Sequence, residues 1–150
     1  LLSAEAIRRF GITPKVALIS HSNFGNAETV SAAKMRQAVT LLRAEAPELE
    51  LEGEMQPDAA LDPNYRSFIF PNSCLQGTAN LLVFANLDAA NGAFNLLKSA
   101  ADGLSVGPLL LGAAKPVHIL TPSVSARGLV NMSALAVVDA QSHERQGTLI

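Results

Sequence analysis

The chain has 150 residues, of which 49% are apolar and only 16% charged, with a formal net charge of −2. That length suits one domain with a real core, while near-neutral charge and sparse aromatics exclude an evident nucleic-acid binder, and no apolar run is long enough to span a bilayer. A mean hydropathy of +0.25 is high for a soluble monomer, so some apolar surface is expected to be covered by another chain or a partner domain.

Residues 1–10 read as an amphipathic helix already under way, with neither a cap nor an initiator methionine, and the chain is expected to be a piece of a longer polypeptide. No signal-peptide pattern precedes the first strand. That strand is the buried run at 15–20 (KVALIS), followed by a polar loop at 21–26 (HSNFGN). Helical spacing then extends from Thr29 to Ala46, with Met35, Val39 and Leu42 on one face and Pro47 ending it. Residues 49–54 are a second strand candidate, and 80–85 a third, flat and apolar as parallel strands are. A helix is expected over 91–101, with Phe94, Leu97 and Lys98 at turn spacing. Two more strands are expected at 106–111 and 116–120, then a last helix capped by Ser125 and running to about Gln141, with a tail from His143. This alternation argues for an α/β fold, a mostly parallel sheet layered by helices. Ligands in such folds sit beyond the C-terminal ends of the strands, here the polar loops at 21–26, 56–62, 86–91 and 121–125.

Each candidate site has a plainer reading beside it. The loop after the first strand offers backbone amides ahead of a helix, an anion-holding arrangement, but a single glycine is no phosphate fingerprint and a simple turn explains it. Glu54 and Asp58 suit acid–base work, yet such carboxylates are more often capping and solvated groups. Asp88 or Asn91 fits a helix cap as well as a ligand contact. His21, His118 and His143 are far apart and follow no metal-ligand spacing; His118, within a predicted strand, reads as a structural histidine. Cys74 is alone, which leaves no internal disulfide and is compatible with a reducing cytoplasm. Ser123, Ser125 and Arg127 form the polar cluster best placed to hold a phosphate at a helix start.

The segment 86–131, NLDAANGAFNLLKSAADGLSVGPLLLGAAKPVHILTPSVSARGLVN, resembles the later part of the phosphotransacetylases, where a strand ends in Leu-Ser-Arg-Gly-Cys-Ser and an acidic pair leads into Ile-Val-Asn. GEMQPDAAL at 53–61 is similar to that family's Gly-Glu-Leu-Gln-Phe-Asp-Ala-Ala, and the similarity continues through FPNSCLQGTANLLVFANLDAANGAFNLLK. KVALISHSNFGN, the 102–131 stretch and MSALAVVDAQ more particularly resemble the phosphotransacetylase-like C-terminal domain of bacterial NADP-dependent malic enzymes. The resemblance implies an isocitrate/isopropylmalate dehydrogenase-like phosphotransacetylase fold, with residues 1–141 its later part and 142–150 a C-terminal tail.

In the family, a serine hydroxyl and an arginine guanidinium hold oxygens where negative charge develops, and an aspartate takes the thiol proton of coenzyme A. Here those positions carry Thr121, Pro122 and Gly128. Proline has no donor at all, and glycine cannot be a base. The resemblance therefore implies a domain without catalytic residues that senses acetyl-CoA and helps build an oligomer, a dimer through this domain. Its remnant ligand-facing set would be Thr121, Ser123, Ser125, Arg127 and Asn131, then Asn86, Asp88 and Asn91. It implies no cofactor in this domain, with NADP and a divalent metal (Mg or Mn) in upstream malic-enzyme domains, and a cytoplasmic location with no nucleic-acid or membrane partner. Two alternatives stand beside it: an active phosphate acetyltransferase, for which Arg127 is the nearby replacement group, and a purely structural oligomerisation domain.

Overall fold

The apolar runs become strands where residues on both sides of the backbone can be buried. In the computed structural model, which describes residues 1–101, 105–122 and 124–147 (side chains through Ser142), the chain divides into two compact units, Leu1–Leu97 and Lys98–Ile150. The first contains α1 (Leu2–Arg8), β1 (Val16–Ile19), α2 (Val30–Glu45), β2 (Leu51–Met55), α3 (Pro57–Leu61), α4 (Pro63–Ile69), β3 (Leu81–Phe84) and most of α5 (Leu87–Ala100). The three strands form a parallel sheet in the order β2-β1-β3, so the fully buried β1 is central.

Alternation along β1 sends its side chains into two cores. Val16 and Leu18 meet Met35 and Val39 of α2, together with Ala4, Leu49 and Leu51. Ala17 and Ile19 face the other way, onto Met55, Ala59, Ala60, Leu75 and Ala79. Met35 and Val39 thus occupy the face that their spacing predicts, with Leu42 partly buried against the same cluster. Thr29 caps α2 by accepting from the Ala32 N–H.

β2 carries the irregularity that matters for the site. Val16, Ala17 and Leu18 pair with Leu51, Glu52 and Gly53, but Ile19 pairs with Met55, so the register slips by one residue at Glu54. Leu51 lies in the first core and Met55 in the second, although strict alternation would put both on one face. The bulge re-phases the strand and frees Glu54 to point elsewhere. Gly53 is required beside it: its φ is 149°, and a Cβ there would stand 2.8 Å from the Leu18 carbonyl oxygen.

The segment after β2 folds into α3 and α4, not the loop expected from 56 to 62; each opens on a proline whose missing N–H costs a helix start nothing. Arg66 of α4 is buried with no carboxylate partner among the described residues, its guanidinium donating to the carbonyls of Ala59, Ala60, Leu75 and Gly77.

In the second unit, α6 (Ala126–Gly147) starts where the Ser125 cap predicts but runs past the expected end at Gln141. The strands expected at 106–111 and 116–120 do not form. Pro108 and Pro116 each remove a ladder donor, and Gly107 sits at φ 129°. Among the described residues, no helix is long and apolar enough to cross a membrane.

Candidate functional site

The loop after β1 does hold an anion, through one backbone amide and a serine hydroxyl, and the anion is the protein's own. Glu54 is 1% exposed; its Oε1 accepts from the Ser22 hydroxyl at 2.6 Å, the Gly25 N–H at 3.0 Å and Arg36 Nη1 at 2.9 Å. Around it, Phe24 N–H donates to the Glu54 carbonyl, Ala27 N–H to Ser22 Oγ, and Asn23 N–H to the Asn26 side chain. Arg36 also pairs with Glu28 on the surface. Burial alone would raise the Glu54 carboxyl, but the bonds from Ser22, the Gly25 amide, its own backbone N–H and Arg36 together hold it below the usual carboxylate value. This corrects the expectation that Glu54 is a solvated group. Asp58, by contrast, lies in the first turn of α3 and accepts from the Ala59 N–H. Asn23 and Gln56 bind each other twice, joining the C-terminal ends of β1 and β2.

A cavity of about 360 Å³ opens in the second unit at the start of α6. Thr121, Ser125, Gly128 and Asn131 line it with Lys98 of α5, the 105–108 turn, and the apolar Ile119, Leu120, Val124 and Met132. Three of the expected ligand residues, Thr121, Ser125 and Asn131, are thereby gathered at one place. The Ser125 hydroxyl accepts from the Gly128 N–H at 3.1 Å, so capping also orients it. Ser123 lies outside the described residues. Arg127 is exposed and does not line the cavity. A Cβ at Gly128 would come within 2.8 Å of Val124 Cγ2, so no side chain enters this turn unless Val124 moves. Lys98 is the one charged side chain among the described lining residues; its helical spacing with Phe94 and Leu97 places it on a helix but assigns it no role.

The second-choice residues belong to the first unit, and each has a local role there. Asn86 caps α5, accepting from the Ala89 N–H at 2.9 Å, so the helix begins four residues before the expected Asn91. Asp88 sits in the first turn, where an acid complements the helix dipole. Asn91 is paired on the helix surface with Asn95. Among the described residues, no three His, Cys, Asp or Glu side chains come together as a metal site would need. His21 approaches Thr29 Oγ1 at 3.3 Å. His118, outside any strand, has its Nε2 3.1 Å from Asp139 Oδ2. The side chain of His143 lies outside the described residues.

Comparison with known proteins agrees with this architecture. A family model described as "Phosphate acetyl/butaryl transferase" matches residues 1–137. An NADP-dependent malic enzyme of Escherichia coli is 55% identical over 143 residues, spanning 95% of this chain and 19% of that protein. An NAD-dependent malic enzyme of Rhizobium meliloti is 56% identical over 140 residues, spanning 93% of this chain and 18% of that protein. A solved structure, the EutD phosphotransacetylase from Staphylococcus aureus, superposes with a TM-score of 0.86 at 35% identity, covering 93% of this chain and 43% of that one. The chain thus spans less than a fifth of the malic enzymes it matches and less than half of that transferase.

Proposed function

The chain belongs to the phosphate acetyl/butyryl transferase family, and from that premise we propose that it is a catalytically degenerate member, a regulatory and oligomerisation domain of a malic enzyme that binds acetyl-CoA without transferring its acetyl group. One observation carries this reading. The cavity at the start of α6 is lined, among the described residues, by hydroxyls, an amide and one lysine, with no carboxylate, histidine or arginine. Acetyl transfer to or from a thiol needs a base for the thiol proton and strong donors at the developing oxyanion. Pro122 and Gly128, at the positions that would supply an arginine and an aspartate, supply neither. Thr121, Ser125 and Asn131 can still bind. A coupling of about 1–3 kcal/mol between such a site and a remote active centre suffices for feedback control.

The parent polypeptide would oxidatively decarboxylate malate to pyruvate with a nicotinamide cofactor, NADP by the motif resemblance although an equally similar relative is named NAD-dependent, and Mg or Mn bound outside this chain. The apolar side chains exposed along α5, Leu87, Phe94, Leu96 and Leu97, suit burial against the upstream domains or a second subunit, consistent with a homo-oligomer.

The test is a calorimetric titration of acetyl-CoA into the intact polypeptide carrying this chain, paired with an assay for acetyl phosphate formation. Saturable binding without turnover, lost when this domain is deleted, is the expected result. Turnover would identify an active transferase. No binding by a well-folded oligomer would leave an architectural role.

A further inference from the structure

We propose that Lys98 is the anion-holding residue of the cavity at the start of α6, gripping a phosphate group of the ligand beside the hydroxyls that share the lining. The inference rests on the ligand-binding reading of that cavity and adds to it the residue that selects for charge. Lys98 is the only charged side chain among the described lining residues, and it has no ion-pair or hydrogen-bond partner among them. Asp139, an acid of the same unit, lies against His118 instead. An ammonium that borders a cavity with no carboxylate among its described lining residues favours an anion there, since charge-assisted bonds are roughly twice as strong as neutral ones.

The remaining lining supplies geometry without charge. Thr121 and Ser125 offer hydroxyls and Asn131 an amide. Met132 is buried beneath the cavity, while Pro108, Ile119, Leu120 and Val124 give it an apolar but solvent-accessible rim. At about 360 Å³ the space lies near the small end of ligand pockets, enough for one anionic group with a short chain rather than a whole nucleotide thioester. On the ligand-binding reading above, that anionic group is a phosphate, which reaches the cavity either as part of the coenzyme or as free inorganic phosphate. Lysine suits both, as a point charge on a flexible stem.

The experiment titrates acetyl-CoA and, separately, inorganic phosphate into the intact polypeptide as wild type, Lys98→Ala and Lys98→Arg. Lys98 is exposed on a helix, so circular dichroism should find all three folded alike. Expected is a loss of about tenfold or more in affinity for one of the two probes in Lys98→Ala, with Lys98→Arg keeping the charge and staying within about threefold. The weakened probe identifies the source of the phosphate, and its wild-type affinity should fall with added salt more steeply than that of Lys98→Ala. Unchanged affinity of Lys98→Ala for both probes, with wild-type binding intact, overturns the role of Lys98 and leaves acetyl-CoA sensing standing. Failure of the wild type to bind either probe overturns both.

Discussion

Replacing Glu54 by glutamine should destabilise the first unit by about 2 kcal/mol at neutral pH and should cost almost nothing in acid. Glutamine keeps the shape and one carbonyl oxygen, so the Ser22 hydroxyl and the Gly25 N–H retain an acceptor, but Arg36 loses its buried counter-charge and keeps only the Ala27 carbonyl and the exposed Glu28. A hydrogen bond to a charged group is worth about 1.5–3 kcal/mol and a neutral one about 0.5–1.5, so three weakened bonds lose about 3 kcal/mol together. Relief from burying a charge returns about 1. The pH dependence follows from the lowered carboxyl. A group whose folded pKa lies below its unfolded one contributes its stability in full above the unfolded value, near 4.5, and loses it as pH falls through the folded value. Urea unfolding of wild type and Glu54→Gln from neutral pH down to strong acid should therefore show two curves that converge. A gap that persists unchanged in acid, or no gap at neutral pH, would refute the view that this buried carboxylate is ionised and anchors the loop.

Two further substitutions probe close approaches of the backbone. Gly53→Ala should cost about 3 kcal/mol or more in urea unfolding, because the added Cβ meets the Leu18 backbone at a φ that only glycine holds easily; a near-neutral result would mean that β2 shifts freely against β1. Gly128→Ala alone sets a helix-propensity gain of about 1 kcal/mol against the clash with Val124 Cγ2, whereas in a Val124→Ala background the same change should be clearly stabilising. Thermal unfolding of the four proteins in that cycle measures the coupling, and strict additivity would show that the contact is not felt.

The parts of the fold that the sequence disclosed are those where one physical demand dominates. β1 and β3 follow from apolar runs, and α2 from Met35 and Val39 recurring on one helical face. What escaped depends on partners that the sequence does not name. The bulge is a matter of hydrogen-bond phase between β1 and β2, and nothing in LEGEM announces it. Glu54 reads as a surface acid until the loop at 20–26 closes over it. The apolar stretches at 106–111 and 116–120 have strand-like composition, but their prolines and Gly107 oppose a ladder. At the candidate site, the polar run around Thr121 and Ser125 was legible from resemblance. Lys98 was not, since a lysine in the last turn of a helix gains a role only when other segments form a cavity beside it.

Arg66 gives the corner formed by α3 and α4 a different character from the loop held by Glu54. Both are buried ions that gather backbone around themselves, but a guanidinium stays charged at any pH a protein survives. Its four acceptors are carbonyls, which do not titrate either. The two flanks of the sheet are thus fastened by materials with unequal tolerance for acid. Acid should therefore loosen the loop after β1 by protonating Glu54, whereas the carbonyls gathered around Arg66 by α3, α4 and the segment through Gly77 offer protons no carboxylate to act on.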